Sequence, residues 1–85
     1  MQFTGAVIRE QGVTFAVVLV KSQVVSNSAQ ANKVIAEFSP TFRMPVVLMA
    51  QDIRGRPTYY GRQDIARFLS NVPVHAIPWK HYDIN

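Results

Sequence analysis

Two uninterrupted apolar stretches stand out in the pattern of hydrophobic and polar positions along the chain. Residues 13–20 (VTFAVVLV) and 45–50 (PVVLMA) contain no charge and no glycine, and both are rich in valine. Short runs of this composition are typical of strands that are buried on both faces. We therefore predict that they form the middle of a small β-sheet.

A further strand and a tight turn precede the longer apolar run. Residues 3–9 predict the strand, and the loop at 10–12 contains Gly12, which is free to adopt a positive φ. The two strands are therefore expected to form a hairpin.

Two more extended segments lie in the second half of the chain. The turn at 53–57 contains glycine and proline, and 58–60 predicts a short strand that returns antiparallel to 44–52. The tail at 74–84 alternates loosely between apolar and polar residues and predicts a last strand or extended arm. Its prolines favour an edge of the sheet or an irregular path.

Two segments repeat apolar residues at the i, i+3, i+4, i+7 spacing of one helix face. The apolar face of the first consists of Ala31, Val34, Ile35 and Phe38. The apolar face of the second, which follows Gly61, consists of Ile65, Phe68, Leu69 and Val72. Asn27 is a suitable N-cap for the first helix, with Gln30 in capping-box position. Pro40 disfavours the helical conformation at Ser39, where we expect this helix to end.

These elements follow one another in the order ββαββα(β) and predict an α/β (α+β) fold. We expect a two-layer sandwich in which a mixed four- to five-stranded sheet carries two helices on one face. A strand–helix–strand crossover is right-handed, so the two central strands should be parallel. The length of 85 residues is that of a single compact domain, 1–85.

Two helices on one face would leave the other face of the central strands exposed to water. Each exposed Val, Leu or Met side chain would cost roughly 1.5–3 kcal/mol. We therefore expect a homo-oligomer, in the simplest case a dimer, built on the open sheet face or through exchanged tails. The alternative is a monomer whose tail, with Trp79 and Tyr82, folds across that face.

The composition supports self-association and excludes several chemistries. Hydrophobic residues make up 48% of the chain and charged residues 16%, so little polar material is left to cover a monomer. The absence of cysteine excludes disulfides and thiol chemistry. We find no secretory signal and no apolar run near the roughly 20 residues of a membrane span, and we expect a cytoplasmic protein without a membrane partner.

The net charge of +4 is concentrated in and around one segment that also contains tyrosines. Its candidate residues for binding an anion or a partner are Arg54, Arg56, Tyr59, Tyr60, Arg62 and Arg67. Guanidinium groups bind phosphates and carboxylates bidentately, and tyrosine rings offer faces on which bases stack. The segment therefore predicts a basic hairpin that binds nucleic acid or an acidic protein. The alternative is a solvated turn whose arginines keep an apolar chain in solution.

His75 and His81 are the alternative candidates, for catalysis. Imidazole can act as a general base near neutral pH, and His81 shares one strand face with Asp83. The spacing of these residues matches no metal motif, and the chain contains no phosphate-binding glycine loop, so neither a metal nor a cofactor is predicted. Histidines on the surface or at an interface are the simpler interpretation.

One local pattern is similar to a known family. Residues 44–48 (MPVVL), the glycine-containing turn, Gly61 and the helix with Phe68 and Leu69 resemble the C-terminal strand–hairpin–helix of thioredoxin-like proteins. The resemblance covers about a third of the chain, and the Cys-x-x-Cys motif of that family is absent. It therefore implies a local strand–hairpin–helix arrangement and no redox activity.

Taken together, the sequence predicts a small, non-enzymatic, self-associating interaction module that docks an anionic partner through its basic hairpin. The alternative is a small cofactor-independent enzyme with a histidine-containing pocket at the subunit interface. The two hypotheses differ in what should meet in the folded chain. Arginines and tyrosines on one exposed face favour binding, whereas histidines in a deep cleft favour catalysis.

Overall fold

The computed structural model describes residues 1–10 and 12–84 and confirms the predicted α+β class and element order. The strands are β1 (Gln2–Glu10), β2 (Val13–Leu19), β3 (Val46–Gln51), β4 (Pro57–Tyr60) and β5 (Lys80–Asp83). The helices are α1 (Ser22–Val25), α2 (Ser28–Phe42) and α3 (Gln63–Leu69), and Val74–Ala76 form a turn of 3-10 helix. The short α1 and the 3-10 turn are additions to the predicted elements.

The five strands form one mixed sheet in the order β4-β3-β2-β1-β5. The two apolar runs lie at its centre and are parallel, as predicted, with Val17 opposite Val47. All other neighbours pair antiparallel. In the predicted hairpin loop, Gly12 has a φ of 79°, whereas Gln11 lies outside the described residues.

The two long helices lie on opposite faces of the sheet, which corrects the expectation that both share one face. Phe15 and Val17 of β2 pack in one core cluster with Ile65 and Leu69 of α3, and Ile77 belongs to the same cluster. The alternate β2 residues Ala16 and Val18 pack in a second cluster with Ala31 and Phe38 of α2. The crossover from β2 to β3 fixes the side of α2 only. That handedness rule does not apply to the connection from β4 to α3, and α3 packs on the face of the sheet that α2 does not cover.

The single chain therefore covers both faces of its central strands. Val17, Val47 and Leu48 are fully buried. The buried stretches around them are residues 15–18 of β2 and 46–50 of β3. The tail contributes on the α3 side, where Ile77 is buried and Trp79 packs against the cluster. An open sheet face thus no longer supports an oligomer. The homo-oligomer stays a prediction that needs a different interface.

Helix α2 begins as predicted but continues beyond the expected end. Asn27 caps it by accepting a hydrogen bond from the Gln30 amide at 3.1 Å. The helix then runs through Pro40 to Phe42, although proline removes one backbone donor. The last turn persists because Phe42 packs with Phe38 against other aromatic rings of the same core cluster.

Strand β5 closes the sheet at one edge, where the proline-flanked tail was expected. It pairs only with the first half of β1, from Gln2 to Gly5. The Tyr82 ring stacks on Phe3 at a centroid distance of 5.1 Å and meets Phe42 edge-on at 5.6 Å. The tail is therefore held to the domain by aromatic packing as well as by backbone pairing.

Candidate functional site at the β3–β4 turn

The turn that joins β3 to β4 is fixed in shape by hydrogen bonds to Asp52. Its Oδ1 accepts the amide N–H groups of Arg54 at 2.8 Å and of Arg56 at 2.9 Å. The Gly55 amide donates to the Asp52 carbonyl at 2.9 Å, and Gly55 takes a φ of 79° that favours glycine. Gln51 Nε2 closes the other side by donating to the Gly55 carbonyl at 3.0 Å. The turn is thus held in one shape by its own hydrogen bonds.

An exposed ion pair joins the side chains of Arg56 and Asp52. The Arg56 Nε donates to Asp52 Oδ2 at 2.9 Å. Hydrogen bonding from the Arg56 amide above all, with help from its guanidinium and the Arg54 amide, holds the pKa of Asp52 below its ordinary value of 3.8. Exposed pairs of this kind contribute little to stability, so the Arg56 side chain can exchange Asp52 for the carboxylate of a partner at small cost.

Ile53 and Arg54 point outward from this turn. Ile53 has a relative exposure of 103%, the highest among the large exposed hydrophobic residues. Arg54 is also exposed, and its guanidinium makes no hydrogen bond or ion pair to the described residues. Ile53 was not among the residues predicted for the site, although an apolar residue between Asp52 and Arg54 in a glycine turn is a recognisable signal. An apolar side chain beside an unpaired cation is suited to contact with another molecule.

Arg62 and Arg67 lie elsewhere and do not join the turn. Four residues of β4 separate Arg56 from the far end of the strand, or roughly 13 Å. There Arg62 makes a two-pronged contact with Asp64, at 2.9 and 2.8 Å. The pKa of Asp64 is lowered, mainly by hydrogen bonding to the Arg62 side chain. Arg67 lies exposed in the last turn of α3. The predicted basic residues therefore form two groups.

The two tyrosines of β4 face opposite sides of the sheet. Tyr59 packs against the α3-side cluster, where its hydroxyl is buried without a hydrogen-bond partner among the described residues. This burial raises the pKa of Tyr59. Tyr60 packs on the α2 side and donates its hydroxyl to Asn32 Oδ1 at 3.1 Å. Both rings are half-buried and lie on opposite faces, so they do not form one exposed surface for stacking.

A groove that includes four polar side chains adjoins the second arginine group. Asn32, Ser39, Tyr60 and Arg62 line it together with apolar residues, and its volume is about 400 Å³. Its polar side chains are already engaged, since Tyr60 bonds Asn32 and Arg62 bonds Asp64. Ser39 likewise donates to the Ile35 carbonyl at 2.7 Å. This groove therefore offers a ligand fewer free groups than the turn does.

The histidines do not meet in a cleft. His75 lies exposed in the 3-10 turn, and His81 lies exposed on β5 with its Nδ1 3.2 Å from Thr4 Oγ1. Neither histidine lines the groove beside Arg62 or the two other pockets in the described part of the chain. Within residues 1–10 and 12–84, no group of three His, Asp or Glu side chains is placed to hold a metal ion.

Another pocket lies behind the turn, against the short helix α1. It has a volume of about 260 Å³ and is lined mainly by the ends of β3 and α1. Ser22, one of its lining residues, donates its hydroxyl to the Gln51 carbonyl at 3.2 Å. The contact ties α1 to the end of β3 and adds to the support of the turn.

Comparison with known proteins gives no match. No protein-family model matches the chain, and no curated protein or solved structure was found to match it. None of the helices in the described part of the chain is long and apolar enough to cross a membrane. Function must therefore be argued from the site itself.

Proposed function

We propose that this protein is a non-catalytic interaction module that docks on an acidic protein surface through the β3–β4 turn. The observation that carries the proposal is the presentation of Ile53 and Arg54 on a hydrogen-bonded turn, outside the domain's own packing. A rigid turn loses little conformational entropy on binding, so more of the contact energy remains as affinity. Arg56 adds a second cation whose present partner, Asp52, is exposed and exchangeable.

The features of the turn favour a protein partner over nucleic acid. Nucleic-acid binding would use arginines together with exposed aromatic faces, and Tyr59 and Tyr60 are half-buried on opposite sides of the sheet. An exposed isoleucine gains free energy from an apolar contact, which a phosphate backbone does not supply. An acidic protein surface offers both carboxylates and apolar atoms. The cytoplasmic location stays a prediction alongside this proposal.

Binding to a random copolymer of glutamate and tyrosine tests the proposal, with a single-stranded oligonucleotide as the competing probe. Arg54→Ala and Ile53→Ser are each expected to weaken copolymer binding, and Arg54→Ala should also reduce its dependence on salt. The matched control is Lys33→Ala, which removes the same charge from the exposed surface of α2.

Two outcomes would contradict the proposal. Equal weakening by Lys33→Ala and Arg54→Ala would mean that net charge, and not the turn, determines binding. Tighter binding to the oligonucleotide than to the copolymer, with the same dependence on Arg54, would favour a nucleic-acid partner.

A further inference from the structure

A small apolar pocket lies at the end of the sheet opposite the β3–β4 turn. It is lined by Val13 and Phe15 of β2 and by Ile65 and Phe68 of α3, and its volume is about 140 Å³. The turn follows the end of β3, whereas Val13 begins β2, which runs parallel to β3. The pocket and the turn of one chain are thus at opposite ends of the molecule.

Carboxylates border this pocket. Glu10 and Asp64 are both exposed and belong to its lining. Asp64 is engaged by Arg62, whereas Glu10 makes no ion pair with the described residues. An apolar floor beside an unpaired carboxylate suits an occupant that has an apolar side chain next to a cation.

The β3–β4 turn of a second copy has these properties. Ile53 and Arg54 are adjacent, exposed and held outward, one apolar and one cationic. An apolar cavity of about 150 Å³ takes up a molecule the size of benzene, so the four-carbon side chain of isoleucine fits a pocket of this size. Arg54 would then meet Glu10 of the other chain, an unpaired cation facing an unpaired anion.

We infer that the protein self-associates head to tail. Ile53 of one copy lies in the small apolar pocket of the next copy, and Arg54 pairs with Glu10 beside that pocket. This inference rests on the proposed function, because it identifies the acidic protein surface as that of a second copy. The contact joins two different surfaces, so each added copy leaves one turn and one pocket unoccupied. One isoleucine and one ion pair make a small interface, so the association is weak and transient.

Exchanging the two charges tests the pairing directly. Glu10→Arg and Arg54→Glu are each expected to lower the association constant about fivefold. The double variant, in which the charges are swapped, should recover most of that loss. Sedimentation velocity at protein concentrations up to about 1 mM covers the range of such a small interface. The controls are Glu37→Arg and Lys33→Glu, which change the same charges on α2.

Mixing two defective variants tests the geometry. Ile53→Ser lacks the inserted side chain but keeps the pocket, and its own association should fall about tenfold or more. Glu10→Arg keeps the turn, but the arginine beside its pocket repels Arg54 of another copy. An equimolar mixture is expected to form one-to-one dimers that do not grow further, whereas the unaltered protein continues to add copies as its concentration rises.

All of these positions are exposed, so circular dichroism and urea unfolding should show that each variant folds normally. A single-chain mass at every concentration, with copolymer binding still dependent on the turn, would refute the head-to-tail contact and leave the proposed function standing. If the unaltered protein neither self-associates nor binds the copolymer through the turn, both the head-to-tail contact and the proposed function are refuted. Self-association that is unchanged in Ile53→Ser would also refute the inference.

Discussion

At the scale of single residues, the two adjacent tyrosines of β4 differ in the hydrogen bonding of their side-chain hydroxyl groups. Tyr60 donates to Asn32, whereas the Tyr59 hydroxyl is buried without a partner among the described residues. A buried polar group without a partner costs free energy, whereas a satisfied one contributes modestly. The two positions therefore form a matched pair for one substitution.

We expect Tyr59→Phe to leave the free energy of unfolding unchanged or to raise it by about 1 kcal/mol. Tyr60→Phe should lower it by about 0.5–1 kcal/mol, because a hydrogen bond is lost. Urea denaturation of both variants measures the difference. Because burial raises the pKa of Tyr59, the free energy of unfolding does not depend on the titration of this group below the unfolded pKa near 10, and it falls as pH rises from there through the folded pKa. A larger loss in Tyr59→Phe than in Tyr60→Phe would show that the hydroxyl has a partner in solution.

Asp52 determines the order of the turn and makes it sensitive to acid. Its pKa is lowered in the folded state, so the ionised carboxylate stabilises the turn above the unfolded pKa, and this is lost as pH falls through a folded pKa below 3.8. We expect the amide proton shifts of Arg54 and Arg56 to titrate together with a midpoint below 3.8. Asp52→Ala should remove that titration and increase the backbone mobility of the turn in NMR relaxation, while the urea midpoint of the domain changes little. An unchanged turn in Asp52→Ala would exclude preorganisation by this carboxylate.

At the scale of secondary-structure elements, α2 contains one residue that disfavours the helical conformation. Pro40 lies inside the helix and cannot donate to a carbonyl one turn earlier. We expect Pro40→Ala to raise the free energy of unfolding by about 2 kcal/mol, after allowing for the greater freedom of the unfolded chain. Urea unfolding measures the change, and Thr41→Ala is the neighbouring control, for which a smaller gain is expected. A loss of stability in Pro40→Ala would mean that the proline ring itself is needed in the packing.

The elements were predictable from sequence to different degrees, for physical reasons. Residues 13–20 and 45–50 predicted the central strands because hydrophobic runs reflect burial directly. Asn27 predicted the start of α2 because a cap acts locally. The side of the sheet on which α3 lies was not predictable, since it depends on which face α2 leaves open. The end of α2 was wrong by one short turn, because aromatic packing of Phe42 outweighed the local effect of Pro40.

The candidate site shows the same limit. Arg54 and Arg56 were found from composition, but their separation from Arg62 depends on the length of β4 and on where its ends lie. Tyr59 and Tyr60 alternate across a strand, and this rule of period two would have separated them already at the level of sequence. Ile53 stands out in the sequence as an apolar residue in a glycine turn, but its full exposure depends on the shape of that turn, which only the structure gives.

At the scale of the whole molecule, the tail holds the sheet edge in place through one aromatic ring. Tyr82 stacks on Phe3 and meets Phe42, whereas His81 beside it is exposed near Thr4. We expect Tyr82→Ala to lower the free energy of unfolding by about 2 kcal/mol, because a half-buried ring and its aromatic contacts are lost. His81→Ala, the control on the same strand, should change it by less than about 0.5 kcal/mol. Equal effects in urea unfolding would show that backbone pairing alone retains the tail.

The strand order β4-β3-β2-β1-β5 also has a consequence for synthesis on the ribosome. The three inner strands and α2 emerge first, whereas both outer strands and the segments that cover Phe15 and Val47 come from the last third of the chain. A nascent chain that stops near residue 56 therefore has two unprotected sheet edges and one uncovered apolar surface. We expect the interval between the emergence of β3 and that of α3 and β5 to be the one in which the growing chain is most exposed to aggregation.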